Sequence, residues 1–317
     1  MEKRTSSLRP SAPIQLPQSP IWGWLLVAII AVLVIVGIAL IFAETEGTPS
    51  IGGGCVGVVE IDGEIIANDV ADSLFSSGQA GSEQIAKEIE EADKRSDVKS
   101  ILMIVNSPGG SVVASNEIYQ AFKSAKKPKV AYFREMAASG GYEAALGADY
   151  IISEPDALTG SIGARMTLSQ MSGLFEKIGY NETTIKSGEM KDIGSPSREI
   201  TPKEMEVLQS IVNESFNEFK NVVVENRKGK LDMTRFESEV LDARVLSGRQ
   251  AYKLGLVDAL GSKKDAIAKA SKMAGSNKSL EVCAMQKKQS GLFSSLFAGA
   301  FESVIPSFVK SKMSLGY

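Results

Sequence analysis

The sequence predicts an α/β domain of largely parallel strands carried behind a single N-terminal membrane helix. Three observations lead there. From residue 55 onward, short β-branched runs alternate with stretches of helical periodicity. Glycine-containing loops stand where the strands give way to the helices. Residues 21–43 form an apolar stretch without a charge, which at about 1.5 Å per residue makes roughly 34 Å of helix, enough to cross a hydrocarbon core.

Residues 1–20 carry four prolines and no periodicity, and read as a short cytoplasmic tail. Trp22 and Trp24 open the apolar stretch at the depth indoles favour. Lys3, Arg4 and Arg9 precede it, and the next basic residue is Lys87, so the positive-inside bias places the remainder of the chain outside the cell membrane. A cleaved signal peptide is the competing reading. Its apolar region is normally shorter, and Leu40-Ile41-Phe42-Ala43 makes a poor cleavage site. Residues 44–54 are a tether rich in Gly, Pro, Ser and Glu. Gly52 to Gly57 formally matches the dinucleotide-binding G-x-G-x-x-G, but it precedes a strand instead of joining a strand to a helix, so no cofactor is expected.

Strands are expected at 56–61, 98–105, 129–134 and 150–153, with helices near 83–95, 112–126 and 139–147. In the second helix Ala114, Ile118, Ala121, Phe122 and Ala125 fall on one face. Pro202 opens a long helix to about Arg227, and Ser247-Gly248-Arg249-Gln250-Ala251 starts another. The folded domain is taken as 55–275 and a tail as 276–317. In the tail Leu292, Phe293, Leu296, Phe297, Phe301, Val304 and Ile305 make an amphipathic helical pattern ending at Pro306, suited to packing on its own domain or a neighbouring subunit, or to a membrane surface.

Composition narrows the chemistry. Apolar residues make up 44% and charged residues 23%, and the net charge is −3 with no basic stripe, which argues against nucleic acid. The chain has no histidine, which removes most zinc and non-haem iron sites, and its two cysteines, Cys55 and Cys283, are too few for a disulfide scaffold or a thiolate metal site. In an oxidising compartment the two cysteines could pair, but spacing alone does not show that they meet.

The absence of histidine bears directly on Ser139, which lies in Met136-Ala137-Ala138-Ser139-Gly140-Gly141-Tyr142 at a strand-to-helix turn. A serine nucleophile there needs a base other than imidazole, and a desolvated lysine is the strongest candidate. The bland alternative is a helix N-cap. Lys177, Lys186 and Lys191 are within topological reach, and spacing does not choose among them. An ordinary exposed lysine is neutral in only about four molecules in ten thousand at pH 7, so the base must be buried to work. Two further glycine loops, Asn106-Ser107-Pro108-Gly109-Gly110-Ser111 and Thr159-Gly160-Ser161-Ile162-Gly163, follow strands; the first can offer backbone N–H groups to an oxyanion.

Asn106 to Gly110, Ala137 to Tyr142, Gly160-Ser161-Ile162-Gly163 and Lys191-Asp192-Ile193-Gly194-Ser195-Pro196 occur in one order, and together they closely resemble the signal peptide peptidase A family of membrane-anchored Ser/Lys serine proteases. The likeness covers about residues 55–265. It implies Ser139 as nucleophile, Lys191 as general base, Gly110 and Gly140 as the oxyanion hole and Ser161 as a hydroxyl that orients the lysine. It also implies a Clp protease/crotonase-like fold of repeated ββα units that assembles into homo-oligomeric rings, in which Ser and Lys can come from neighbouring subunits. The implied substrates are cleaved signal peptides and unfolded membrane or exported segments, degraded without ATP; no P-loop is present. Neither cofactor nor metal is implied. A stomatin-associated Ser/Lys protease shares the Pro-Gly-Gly and Ala-Ser loops, but the Gly-Ser-Ile-Gly and Lys-Asp-Ile blocks favour the first family. A crotonase-like acyl-CoA enzyme fits the anchor poorly, and a non-catalytic scaffold gives Ser139 and Lys191 no reason to coexist.

Overall fold

The computed structural model describes residues 54–69 and 81–285, together with Ile29 and Val32. The chain divides into two units, Met1–Gly52 and Gly53–Tyr317. In the first, Ile29 and Val32 are both helical and exposed. Most of the apolar stretch 21–43 and the whole amphipathic pattern at 292–305 lie outside the described residues. Among the described residues, no helix is long and apolar enough to cross a membrane.

The second unit is built on a mixed α/β sheet. Its middle strands are β1 (Cys55–Asp62), β2 (Val98–Ser107) and β3 (Lys129–Ala138), paired in parallel. In β2 every residue but Lys99 and Asn106 is buried, because both faces of the sheet are covered, as parallel sheets require. Ile101, Met103 and Val105 face one layer, where α1 (Ser82–Lys94) contributes Ile85 and Ile89, and α2 (Val112–Ser124) contributes Ile118 and Phe122. Leu102 and Ile104 face the other, against Ala266 and Ala270. Each fully buried Ile, Leu or Phe contributes about 1.5–3 kcal/mol.

The third strand forks. Val130 to Phe133 pair with β4 (Tyr150–Ser153), whereas Met136 to Ala138 pair with β5 (Leu158–Gly160) on the way to the short helix α3 (Gly140–Ala145). The strand therefore continues past Arg134, where the sequence expectation ended it. Its Met-Ala-Ala extension carries no β-branched signal, and pairing with β5 is what keeps it extended.

Beyond this fork lie α4 (Ser172–Ile178), a single 3₁₀ turn at Glu189–Asp192 and α5 (Pro202–Asn226). The start of α5 is set by Pro202 and by a capping box between Thr201 and Glu204. Next come α6 (Met233–Glu239), β6 (Val245–Ser247) antiparallel to β5, α7 (Gly248–Lys253), β7 (Ala259–Leu260) beside β4, and α8 (Lys263–Met273). The Ala266 and Ala270 that pack on the sheet's second face belong to α8.

The sheet extends past residue 275, where the folded domain was expected to end. Strand β8 (Glu281–Ala284) adds to the free edge of β1, and Met285 after it is buried. A disulfide joins Cys55 to Cys283 across that pairing, with a Cα–Cα distance of 5.9 Å. Spacing could not show this contact, because 228 residues separate the two cysteines.

Candidate active site

Ser139 stands between β3 and α3 with φ 52° and ψ −127°, a conformation that costs a non-glycine residue about 1–3 kcal/mol. Three hydrogen bonds hold the bend. The Ser139 N–H donates to the Gly160 carbonyl at 2.9 Å, and the Ser139 carbonyl accepts from the N–H groups of Tyr142 at 2.9 Å and Glu143 at 3.1 Å. Behind the turn, the fully buried Tyr142 donates from its hydroxyl to the Leu256 carbonyl at 2.8 Å and packs edge-on against Phe133. A capping serine would accept a hydrogen bond from the first turn of α3; Ser139 accepts none. Its side chain instead lines a cleft of about 540 Å³ between α2, α3 and α5.

The loop after β2 packs directly on this turn. Gly109 has φ +96°, and a β-carbon there would lie 2.6 Å from the Gly140 nitrogen and 2.9 Å from the Ser139 Cβ, so only glycine lets the two loops touch. At Gly140 a methyl group would run into the Ser115 hydroxyl. The position that β-carbon would take is 3.4 Å from the Gly110 nitrogen, so the Gly110 and Gly140 amides are close neighbours. The bridge between Ile65 and Gly110 uses the N–H groups of Ile65 and Ser111, which donate to Gly109 and Ile65 at 2.8 and 2.9 Å. It leaves the Gly110 N–H free, and Gly140, first in its helix, is free likewise among the described residues.

Ser161 follows Gly160, which pairs with Ala138, so Ser139 and Ser161 leave the sheet side by side. Ser161 too has a positive φ, 51°, and its N–H donates to the Arg244 carbonyl at 2.9 Å. The structure thus gathers Ser139, Gly110, Gly140 and Ser161 at one end of the sheet. Lys191 is elsewhere: it sits exposed on the 3₁₀ turn, does not line the Ser139 cleft, and its amine makes no ion pair or hydrogen bond among the described residues. The whole segment 163–203 around it buries no residue.

Within that segment, the Asp192 carboxylate is turned to Lys186 at 2.5 Å and to Arg198 at 2.9 Å. Hydrogen bonds from Arg198 and Lys186 hold it well below the usual carboxylate range. Asp192 therefore does not pair with the neighbouring Lys191, while Lys186 is engaged by Asp192 and by the Glu189 carbonyl. Lys177 lies exposed on α4.

One residue in the cleft escaped the sequence reading. Glu143, one turn after Ser139 on α3, is buried and lines the same cleft. Burial pushes its carboxyl up to about 7, the Asn116 amide pulls the other way, and the like charge of Glu218 adds to the rise. The available signal was a lone acid inside the small-residue run Gly140-Gly141-Tyr142-Glu143-Ala144-Ala145. Among the described residues, no group of three or more His, Cys, Asp or Glu side chains is placed to hold a metal ion.

A strained serine with an unengaged hydroxyl beside two free amides has the geometry of a serine-nucleophile acyl-transfer site. Residues 121–277 match the model of Peptidase family S49. The chain is 34% identical to a protein from Methanocaldococcus jannaschii named Putative protease MJ0651, over 79% of this chain and 81% of that one. It is 36% identical to the Putative signal peptide peptidase SppA of Enterococcus faecium, over 64% of this chain and 59% of the relative. To Protease 4 of Salmonella typhi it is 33% identical, over 72% of this chain but only 36% of the longer relative. Among solved structures, the 1510-N membrane-bound stomatin-specific protease overlays with a TM-score of 0.47 at 18% identity, covering 75% of this chain and 100% of that one, a likeness too distant to decide anything. The chain belongs to peptidase family S49, in the company of signal peptide peptidase A and Protease 4, and is a serine peptidase.

Proposed function

We propose that this chain is a membrane-anchored, ATP-independent serine endopeptidase in which Ser139 and Lys191 form the catalytic dyad. Cleaved signal peptides and other unfolded exported or membrane segments are its substrates. The observation that carries this reading is the Ser139 turn: a strained, uncapped serine facing a cleft beside two free amides, in a chain without histidine. In the reaction, neutral Lys191 takes the hydroxyl proton as Ser139 Oγ bonds to the peptide carbonyl carbon. The Gly110 and Gly140 N–H groups hold the resulting oxyanion, a contribution of about 3 kcal/mol for such a donor. Collapse breaks the C–N bond, the lysine returns the proton to the leaving amine, and water hydrolyses the acyl-enzyme through the same base. Ser161, beside Ser139 at the sheet end, orients the lysine.

A lysine acts as a base only once it is desolvated, and Lys191 lies exposed on a segment that buries nothing. Met166, Leu168, Met171, Leu174, Ile178 and Ile185 of that segment are exposed as well. Both facts support an assembly, a homo-oligomeric ring in this reading, where the segment is covered by a neighbouring copy and Lys191 reaches that copy's Ser139. The forked third strand supports the Clp protease/crotonase-like arrangement of ββα units that belongs with this reading. The Cys55–Cys283 disulfide supports an extracytoplasmic domain, since such bonds persist in oxidising compartments. The apolar stretch 21–43 would be the anchor, with the N-terminus cytoplasmic.

The test is peptide hydrolysis by purified full-length protein. Ser139→Ala and Lys191→Met are each expected to lower turnover by about 10⁴-fold while the assembled particle keeps its size. Full activity in Lys191→Met would remove it as the base.

A further inference from the structure

The cleft that holds Ser139 is acidic throughout. Glu117, Glu143, Glu214 and Glu218 line it, and neither a lysine nor an arginine does. Three of these glutamates are exposed, and Glu117 already accepts a hydrogen bond from Ser82. Glu143 is different. It is only 5% exposed, its helix starts at the nucleophile, and no cation of the protein pairs with it. A carboxyl buried without a counter-charge is costly to ionise, and a peptidase gains nothing structural from keeping one one turn past its serine. The cleft walls are apolar at Val113, Ile211 and Phe219. An apolar sleeve that leads to a carboxylate fits a side chain with an aliphatic stem and a cationic head.

We propose that Glu143 determines specificity: the Ser139 cleft takes the substrate side chain on the acyl side of the scissile bond and selects lysine or arginine there. The proposal rests on the serine-endopeptidase reading given above. An incoming guanidinium or ammonium group supplies the counter-charge that the protein withholds, and the rim glutamates draw cationic segments towards the cleft. The groups facing Glu143 are Asn116 and Glu117 from α2, Ser139 and Gly140 from its own turn, and Glu214 and Glu218 from α5. All the charges among them are negative, so none competes with the substrate for Glu143. Because burial raises this carboxyl to about 7, the site is largely neutral below that pH and anionic above it, and the preference for a cationic residue grows as the pH rises.

The test uses two fluorogenic peptides that differ only in Arg or Leu before the scissile bond, with full-length protein at pH 5.5 and pH 8. The wild type is expected to favour the Arg peptide by about tenfold or more in kcat/KM at pH 8, and by less at pH 5.5. Glu143→Gln should lower the Arg-to-Leu ratio about tenfold, mainly through KM, and flatten its pH dependence. Glu218→Gln, at the exposed rim, should lower it only about two- to threefold. An Arg-to-Leu ratio near one in the wild type, or a ratio that Glu143→Gln leaves unchanged, would overturn the proposal. If Glu143→Gln does not fold, the wild-type ratios at the two pH values decide, and equal ratios overturn it. Cleavage of neither peptide, with no labelling of Ser139 by a serine-directed phosphonate, would instead defeat the endopeptidase reading, and this proposal with it.

Discussion

The Ser139 turn and the segment carrying Lys191 are opposites in construction. Around Ser139, Ala138, Gly140, Gly141 and Tyr142 are buried, the bend is held by three backbone hydrogen bonds, and a neighbouring loop packs so closely that Gly109 cannot carry a side chain. Around Lys191, from residue 163 to residue 203, nothing is buried, and the segment is held by its own ion pairs between Lys186, Asp192, Arg198 and Glu204. A single subunit therefore completes the nucleophile and the oxyanion amides but leaves its candidate base in water. The contrast locates the missing part of the site: it is not another residue of the same subunit but a surface to cover the segment.

The strongest way to break this contrast is to loosen its rigid side. Gly109→Ala places a β-carbon at φ +96° and against the Gly140 nitrogen, which must push the two loops apart. We expect kcat to fall by about 10²–10³-fold, the loss that follows misplacement of an oxyanion donor, with the assembly intact by size-exclusion chromatography. Next in size is the clasp at the sheet edge. Cys55→Ser opens a disulfide that closes a loop of 228 residues, and urea unfolding should show a loss of about 2–5 kcal/mol relative to the oxidised wild type, an amount that reductant reproduces. The mobile side of the comparison is sharpened by a change that ought to do least to the subunit. Ile185 is 97% exposed, so Ile185→Lys should move subunit stability by no more than about 0.5 kcal/mol. The same change should weaken assembly, read as a shift to smaller species and a matching loss of activity at low protein concentration.

The same contrast explains what was legible in the sequence. The strands 56–61, 98–105, 129–134 and 150–153 announce themselves through β-branched runs, and each lies within a strand of the structure. Strands β5 to β8 are two to four residues long and carry no such pattern; they exist because a neighbouring edge offers pairing. The Ser139 loop was readable because local residues build it, with small side chains before the serine and glycines after. Its strain was not, because φ 52° is imposed by Gly160, Tyr142 and Glu143, two of them within the next turn and one on another strand. Glu143 went unread because its burial depends on α2 and α5 closing over it, and Cys55 and Cys283 meet only once β8 reaches the first strand. The choice of Lys191 over Lys177 and Lys186 came from family resemblance alone. The geometry adds that Lys186 is already engaged by Asp192.

Mixed assembly tests the central claim most directly. Ser139→Ala and Lys191→Met subunits, each inactive alone, would be co-expressed and purified as one particle. If Lys191 of one copy serves Ser139 of the next, about a quarter of the contacts in a random ring pair an intact serine with an intact lysine, and about a quarter of the wild-type activity should return. Mixed particles of native size that stay inactive would contradict a site shared between copies.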